Sequence, residues 1–134
     1  WFLTVASARP SLIPISRAVM PSLSSPSTSC WRPDRLLPAL GFGLFLADGY
    51  LRQGEWAAAR AEAETILAIC REVGYRHIEG AAERLLGEAL AADDPAAAGL
   101  HLDAALRITE EIGSRVETAK TLLAQAALRR AAGD

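Results

Sequence analysis

The sequence has almost no excess of charge of either sign. Its 14 basic and 16 acidic residues leave a formal net charge of −2, which gives no electrostatic reason to bind nucleic acid or an anionic membrane. Aromatic residues are only 6 % of the chain, and none is interleaved with Arg129 and Arg130 as a stacking platform for single strands requires. The longest apolar run, residues 36–47, contains Pro38 and is shorter than the roughly 20 residues of a membrane-spanning helix. The sequence therefore predicts that neither nucleic acid nor a membrane is a partner.

Cysteine is scarce as well. The chain has only Cys30 and Cys70, and neither stands in a Cys-x-x-Cys or zinc-type spacing. A disulfide between them is one interpretation, but we favour two free thiols in a reducing compartment and expect a cytoplasmic protein. Cys70 also falls on the apolar stripe of a predicted helix, where cysteine behaves as a small hydrophobic residue.

Motifs of catalytic and cofactor sites are also missing. The segment 41–43 reads Gly-Phe-Gly, but it lacks the third glycine and the preceding strand of a dinucleotide-binding fingerprint. The sequence contains no G-x-x-x-x-G-K-[ST] phosphate loop and no G-x-S-x-G nucleophile elbow. His77 and His101 belong to no H-E-x-x-H arrangement, and we expect both at helix surfaces or boundaries. We therefore predict a protein that is not an enzyme, with no cofactor and no metal site.

The carboxylates show no convergence of the kind that a general acid–base pair requires. They recur on the polar sides of the helices predicted below, and we interpret them as a solvated face. The set comprises Glu62, Glu64, Glu79, Glu83, Glu88, Glu110 and Glu111.

Proline and serine are concentrated at one end of the chain. Five of the seven prolines stand in residues 1–34, together with a serine-rich run over 22–29. Prolines at this density prevent a continuous helix, so we predict a linker or a poorly ordered segment over 1–34. In an alternative, the apolar stretches 1–5 and 12–20 form short helical turns that dock on the main body. The chain begins with Trp1 instead of Met, and we expect it to be a fragment of a longer protein.

Residues 35–134 are predicted to form a single all-helical domain. Apolar residues recur there every three or four positions, as they do on amphipathic helices that bury one face. In the second helix, for example, Ala59, Ala63, Ile66 and Cys70 line up on one side. The five predicted helices run from Leu36 to Arg52, Trp56 to Val73, His77 to Ala92, Pro95 to Ile112, and Arg115 to Ala132.

Residues that favour the ends of helices separate these segments. Asp94 before Pro95 has the pattern of an N-cap followed by proline at the first helical position. Ser114 and Glu117 have the spacing of a capping box. Since the intervening loops are short, consecutive helices are expected to pack antiparallel. Glycine follows three of the apolar stretches, where a left-handed C′ residue is expected: Gly54, Gly74 and Gly113.

The helical segment also repeats itself along the chain. Such self-similarity indicates a repeat architecture in which each helix pair is covered by the next. The matching pairs are 67–76 with 106–115 and 54–59 with 93–98 at an offset of 39, and 78–90 with 116–128 at an offset of 38.

The repeated units resemble the tetratricopeptide (TPR) family. Units near 39 residues, Asp93 at the turn and the absence of a closing proline depart from the usual TPR pattern. The longer unit, with its Glu-x-Gly-x-Arg endings, resembles the degenerate TPR arms of large bacterial signal-transduction ATPases, cyclase-linked proteins and transcriptional regulators. The matching residues are Leu46, Ala47, Tyr50, Gly54, Trp56, Ala59, Ala63 and Ile66 in the first unit, and Leu86, Gly87, Leu90, Asp93, Pro95, Ala98, Leu102 and Ala105 in the second.

This resemblance implies a right-handed superhelical array of antiparallel helix pairs, with about two and a half units over residues 35–134. In such an array, Ala47, Ala59, Gly87 and Ala98 are expected to let helix axes approach closely, and Trp56 is expected to fill space in the core.

The resemblance also implies a non-catalytic protein-interaction module from a larger bacterial regulatory protein. Its concave wall, built from the first helix of each unit, is expected to bind a peptide or a neighbouring domain. Because acidic and basic residues alternate there, we expect a polar peptide of mixed charge. The candidate concave-face residues are Asp48, Arg52, Glu83, Arg84, Glu88 and Gln125.

A structural or oligomerisation arm is the alternative function. The third unit ends after its first helix, at Gly133 and Asp134, so Leu122, Leu123 and Leu128 are expected to lie partly exposed. We expect the chain to continue beyond its last residue. The N-terminal segment, or a second copy in a homodimer, are the other ways to cover this face.

Overall fold

Five α-helices make up the described part of the chain. The computed structural model describes residues 33–133. Residues 1–32 of the predicted N-terminal segment, including Cys30, lie outside this range, and its last two residues belong to the first helix. The described residues contain no strand, so the all-α prediction is confirmed. The helices are α1 (Pro33–Arg52), α2 (Trp56–Val73), α3 (Arg76–Leu90), α4 (Pro95–Glu111) and α5 (Arg115–Ala131).

The turns follow the sequence signals closely. Gly54, Gly74 and Gly113 all adopt positive φ angles, of 77°, 80° and 71°, which L side chains rarely adopt. The Asp94 carboxylate accepts a hydrogen bond of 3.1 Å from the backbone nitrogen of Ala97, as an N-cap should. These predicted helix ends are confirmed.

The capping box predicted at the start of α5 does not form. The Ser114 side chain makes no capping hydrogen bond, and the Glu117 carboxylate accepts hydrogen bonds from Arg84 and Lys120 instead. Bonds between charged partners are stronger than the bond to a neutral backbone amide, so Glu117 turns toward α3 and away from its own N-cap.

Helix α3 occupies the centre of the fold. Each helix packs on the next along the chain, and α3 packs in addition on α1 and α5, so that it contacts all four other helices. The backbones of α2 and α4 do not come into contact, and neither do those of α1 and α5. Of the 15 residues of α3, 12 are buried. The odd-numbered helices therefore form one continuous row with α3 in its middle.

The core is built from leucine, isoleucine and many alanines. Ala47, Ala59 and Ala98 are fully buried, which agrees with the expectation that they allow close approach. Cys70 is fully buried as well, and burial, with the charge of Glu79 as a smaller cause, raises the pKa of its thiol to about 12. The largest buried apolar side chains are Leu40, Ile66, Leu85 and Leu102.

Two glycines let α4 lie directly against α3. A Cβ at Gly87 would stand 2.7 Å from Cγ of Leu102 and 3.1 Å from the backbone oxygen of Ala98. A Cβ at Gly80 would stand 3.1 Å from side-chain atoms of Ile108 and Thr109. Because the two glycines are seven residues apart, they lie on the same face of α3, two turns from each other.

Trp56 is not the core residue that the sequence predicts. The exposed fraction of this residue is 44 %. Trp56 is the first residue of α2, and its side chain lies at the rim of a surface cleft near Leu128 and Ala131. A position at a helix start on the edge of the row leaves one side of the indole without a covering element.

No helix within residues 33–133 combines the length and the apolar character that crossing a membrane requires.

We expect Gly87→Ala to lower the free energy of unfolding by about 1–3 kcal/mol, because overpacking forces Leu102 or the α4 backbone to move. The matched control is Gly49→Ala in α1, where an added Cβ meets nothing within 4 Å and alanine should stabilise the helix by up to about 1 kcal/mol. Urea denaturation followed by circular dichroism measures both. Equal stability of the two variants would contradict the close approach of α3 and α4.

Candidate functional site

A cleft runs between α1 and α5, with α3 as its floor. Because α1 and α5 both pack on α3 but not on each other, a space of about 620 Å³ remains between them. A second lobe of about 380 Å³ continues toward Trp56 and shares Asp48, Arg52 and Glu88 with the first. The first lobe is lined by Gly41, Leu44, Phe45, Asp48 and Arg52 of α1, by Ala81, Arg84, Leu85 and Glu88 of α3, and by Glu117, Lys120, Leu123, Ala124 and Ala127 of α5.

Four of the six residues proposed for the concave face line this cleft. Asp48 and Arg52 lie on the α1 wall, and Arg84 and Glu88 lie on the α3 floor. All four therefore lie on α1 and α3, the helices that the sequence analysis assigned to the concave wall.

Glu83 and Gln125 lie elsewhere. Glu83 is only 1 % exposed, and its carboxylate is turned away from the cleft toward α2 and α4. Gln125 is also buried, and its amide nitrogen donates a hydrogen bond of 2.7 Å to Asp103 of α4. Both residues share a helix with cleft residues but stand on the opposite side of it, so neither can contact a ligand in the cleft.

The charged side chains of the cleft are paired with one another. Arg52 binds Asp48 at 2.9 Å, and Arg84 binds both Glu88 and Glu117. Lys120 binds the second oxygen of Glu117 at 2.8 Å. Three bases and three acids therefore cancel, and the cleft does not select a ligand by net charge.

Glu117 is the carboxylate that connects the α5 wall of the cleft to its α3 floor. Burial acts to raise the pKa of Glu117, but the hydrogen bond from Lys120 and the charge and hydrogen bond of Arg84 outweigh it, and the net effect is a lowered pKa. The ionised form is therefore favoured in the folded protein.

Two apolar side chains that line the cleft are exposed to solvent. Phe45 on α1 is 81 % exposed and Leu123 on α5 is 71 % exposed, and both line the cleft. Trp56 extends this apolar border along the second lobe. These side chains have no covering partner among the described residues, in contrast to the paired charges between them.

The prediction of a solvated acidic face is wrong for three carboxylates. Glu62, Glu79 and Glu83 are all buried. The Glu83 carboxylate lies 2.7 Å from Nη2 of Arg71 and 2.7 Å from Nδ1 of His101, so it connects α2 and α4 through α3.

A sequence signal for this network was present. Glu83 stands between Gly80 and Gly87 on the face of α3 that packs on α4, and an acid on such a face must be buried and must find partners. The sequence also predicted no partner for His101, because the histidines were compared only with local metal-site motifs and not with residues on other helices. Within residues 33–133, no group of three or more histidine, cysteine or acidic side chains has the arrangement of a metal site.

Helix α5 exposes apolar residues both at the cleft and away from it. Leu122 is 50 % exposed and Leu123 is more exposed still, whereas Leu128 is half-buried and packs against the core. Arg115, Arg129 and Arg130 are exposed on the same helix. Leu123 borders the cleft, and Leu122 does not.

Comparison with models of known protein families, with curated proteins and with solved structures finds no match. The TPR relationship therefore stays a prediction from the sequence.

We expect Glu83→Gln to lower the free energy of unfolding by about 1–3 kcal/mol, because the neutral amide removes the charge that strengthens the buried bond from Arg71. The control is Glu72→Gln, an exposed position in α2, where the change should be within about 0.5 kcal/mol. Denaturant titrations of the two variants give the comparison. A Glu83 variant as stable as the control would show that the network contributes nothing to the fold.

Glu117 should make stability depend on pH. Because its pKa is lower in the folded protein than the ordinary value of 4.5, its ionised form stabilises the fold above pH 4.5, and this contribution is lost as pH falls through the folded pKa. Glu117→Gln should therefore cost about 1–2 kcal/mol at neutral pH and progressively less in acid, while Glu64→Gln in an exposed pair should change little at any pH. Thermal unfolding from neutral to acidic pH tests this, and a constant difference between wild type and Glu117→Gln would contradict it.

Proposed function

We propose that this chain is a non-catalytic protein-interaction module, a TPR-like array of helix pairs that binds a peptide segment in the cleft between α1 and α5. The observation that carries the proposal is the open cleft itself, in which exposed Phe45 and Leu123 stand on opposite walls above a floor of paired charges. Free apolar side chains at the rim of a concave surface are typical of a site that a partner covers.

The packing order supports a TPR-like array. In a stack of helix pairs, each first helix packs on the first helix of the next pair, and here α1, α3 and α5 form such a row. Equivalent turns support it as well: the amide of Tyr75 bonds the carbonyl of Cys70, and the amide of Ser114 bonds the carbonyl of Thr109. The members of these two bonds are 39 residues apart, which is the period found in the sequence. A right-handed superhelix is part of this proposal.

The size of the cleft favours a peptide over a neighbouring domain. A volume of about 620 Å³ holds a few side chains, whereas a folded domain needs an interface of about 800 Å² from each partner. The α3 floor is too recessed between two helices to meet a flat domain surface.

The pairing of charges changes the kind of peptide that we expect. The sequence favours a polar peptide of mixed charge, but Arg52, Arg84 and Lys120 already have carboxylate partners. A charged peptide side chain would have to break one of these pairs, whereas an apolar side chain gains contact with Phe45 or Leu123 at no such cost. The proposed ligand is therefore a segment with two apolar anchor residues. Its polar main-chain groups would face the charged pairs.

The resemblance of the repeat to degenerate TPR arms places this module, in our proposal, in a larger cytoplasmic bacterial regulatory protein. The module needs no cofactor in this role, since binding is its only activity.

Selection from a random peptide display library against the full 134-residue chain tests the proposal. We expect enriched peptides to share two apolar positions and to bind the Phe45→Ala variant about tenfold more weakly, as removal of an interface anchor typically does. Leu100→Ala is the matched control, because Leu100 is 73 % exposed on α4 and lies outside the cleft.

Two results would argue against peptide binding in the cleft. One is the absence of any enriched sequence, and the other is enrichment of peptides that bind wild type and Phe45→Ala equally well. Phe45 is so exposed that its replacement should leave the helical circular dichroism spectrum unchanged, which separates lost binding from lost folding.

A further inference from the structure

A second surface of α5 points away from the cleft. Its residues recur at intervals of four and three, so they form one stripe along the helix, and all of them are exposed. Leu122 is the large apolar residue at the middle of the stripe, flanked by alanines, and arginines stand toward both ends. We call this stripe the outer face of α5; it consists of Arg115, Ala119, Leu122, Ala126, Arg129 and Arg130.

Helix α3 carries the surface that corresponds, one repeat earlier, to the outer face of α5. At the offset of 38, Ala119 and Leu122 correspond to Ala81 and Arg84 of α3. Those two residues are buried, and Arg84 reaches across to Glu117 of α5. In α3 this side of the helix forms the floor of the cleft and lies beside α5, whereas in α5 no helix among the described residues lies beside it.

The arginine at the start of each repeat shows the same contrast. At the offset of 39, Arg115 corresponds to Arg76, and Arg76 binds Glu111 at the end of α4 at 2.8 Å. A following helix thus supplies the carboxylate that Arg76 needs. Arg115 stands at the first position of α5, where the helix dipole disfavours a positive charge, and it has no carboxylate partner within residues 33–133.

The outer face collects the unpaired positive charge of the described chain. Of the ten lysine and arginine side chains described, six are in ion pairs. The other four are Arg107 on α4 and the three arginines of the outer face. The helix dipole accounts for Arg129 and Arg130 in the last turn, but not for Arg115. No acidic residue belongs to the stripe, so its sign is uniformly positive.

We propose that the outer face of α5 docks an amphipathic helix of a partner protein whose apolar stripe is flanked by acidic side chains. Its small residues would pack beside Ala119 and Ala126, which permit helix axes to approach to about 8 Å. Its acidic side chains would bind the arginines at the two ends, one of them bonding Arg115 as Glu111 bonds Arg76.

The same observations disfavour two other occupants. A second copy of α5 would place arginines against arginines, and like charges across an interface oppose association. A lipid surface would gain little from a stripe whose apolar residues are mostly alanine, since membrane-surface helices depend on large buried apolar side chains. A helix with acidic flanks complements the arginines of the outer face, and its own small residues can pack beside the alanines.

Two synthetic helical peptides of the length of α5, 17 residues, provide the test. One has leucine and alanine on a single face with glutamate on both flanks, and the other has lysine in place of each glutamate. We expect the full chain to bind the glutamate peptide in a fluorescence anisotropy titration, more weakly as salt is raised, and not to bind the lysine peptide.

Matched variants locate the binding. Leu122→Ser, and the double change Arg115→Glu with Arg129→Glu, should each weaken binding of the glutamate peptide by about tenfold or more. Leu100→Ser and Arg107→Glu alter an exposed leucine and an unpaired arginine on α4 and should leave it unchanged. Phe45→Ala should also leave it unchanged, which keeps this site distinct from the cleft.

Several outcomes would overturn the proposal. Equal binding of the two peptides, no binding of either, or binding insensitive to the outer-face variants would each do so. Light scattering that shows a dimer of the chain alone, lost in Leu122→Ser, would assign the face to a second copy. Binding to phosphatidylserine vesicles that is lost in the same variants, without binding of the glutamate peptide, would assign it to a membrane.

Discussion

The close contact between α3 and α4 is the constraint on which the rest of the structure depends. Gly80 and Gly87 remove two side chains from the contact, and the residue between them on that face is Glu83. Burial of an ionised carboxylate is unfavourable unless it is bonded, and Arg71 and His101 reach it from the two neighbouring helices. The close α3–α4 contact and the Glu83 network therefore hold α2, α3 and α4 together. Helices α1 and α5 then pack on α3.

The character of the cleft follows from this arrangement. Helices α1 and α5 pack on α3 but not on each other, so the cleft remains between them. The polar residues in it lie close enough to bond one another, and Arg84 with Glu117 connects the floor to the α5 wall. The cleft side chains that remain exposed without a partner are apolar, chiefly Phe45 and Leu123. Charge thus stabilises the walls of the groove, while apolar contact is available to a ligand.

Local signals in the sequence were sufficient for the helices and their turns, and insufficient for what covers each helix face. Gly74 and Asp94 act through their own backbone neighbourhood, so their roles could be predicted from a few residues. Glu83 and Trp56 could not be placed in this way. Helical periodicity shows which residues share a face, but whether that face meets another helix or solvent depends on partners distant in the chain. The Glu117 half of the predicted capping box failed for a related reason, because Arg84 binds the Glu117 carboxylate from another helix.

Helices α3 and α5 have similar sequences but different surroundings. Leu85 and Leu123 occupy equivalent positions 38 residues apart, yet Leu85 is 1 % exposed and Leu123 is 71 % exposed. The same residue type therefore stabilises the fold in α3 and remains available for contact in α5. Arg76 and Arg115 differ in the same way, since only Arg76 has its carboxylate. Within the described residues, equivalent positions of the repeat are therefore covered by other helices in α3 and exposed to solvent in α5.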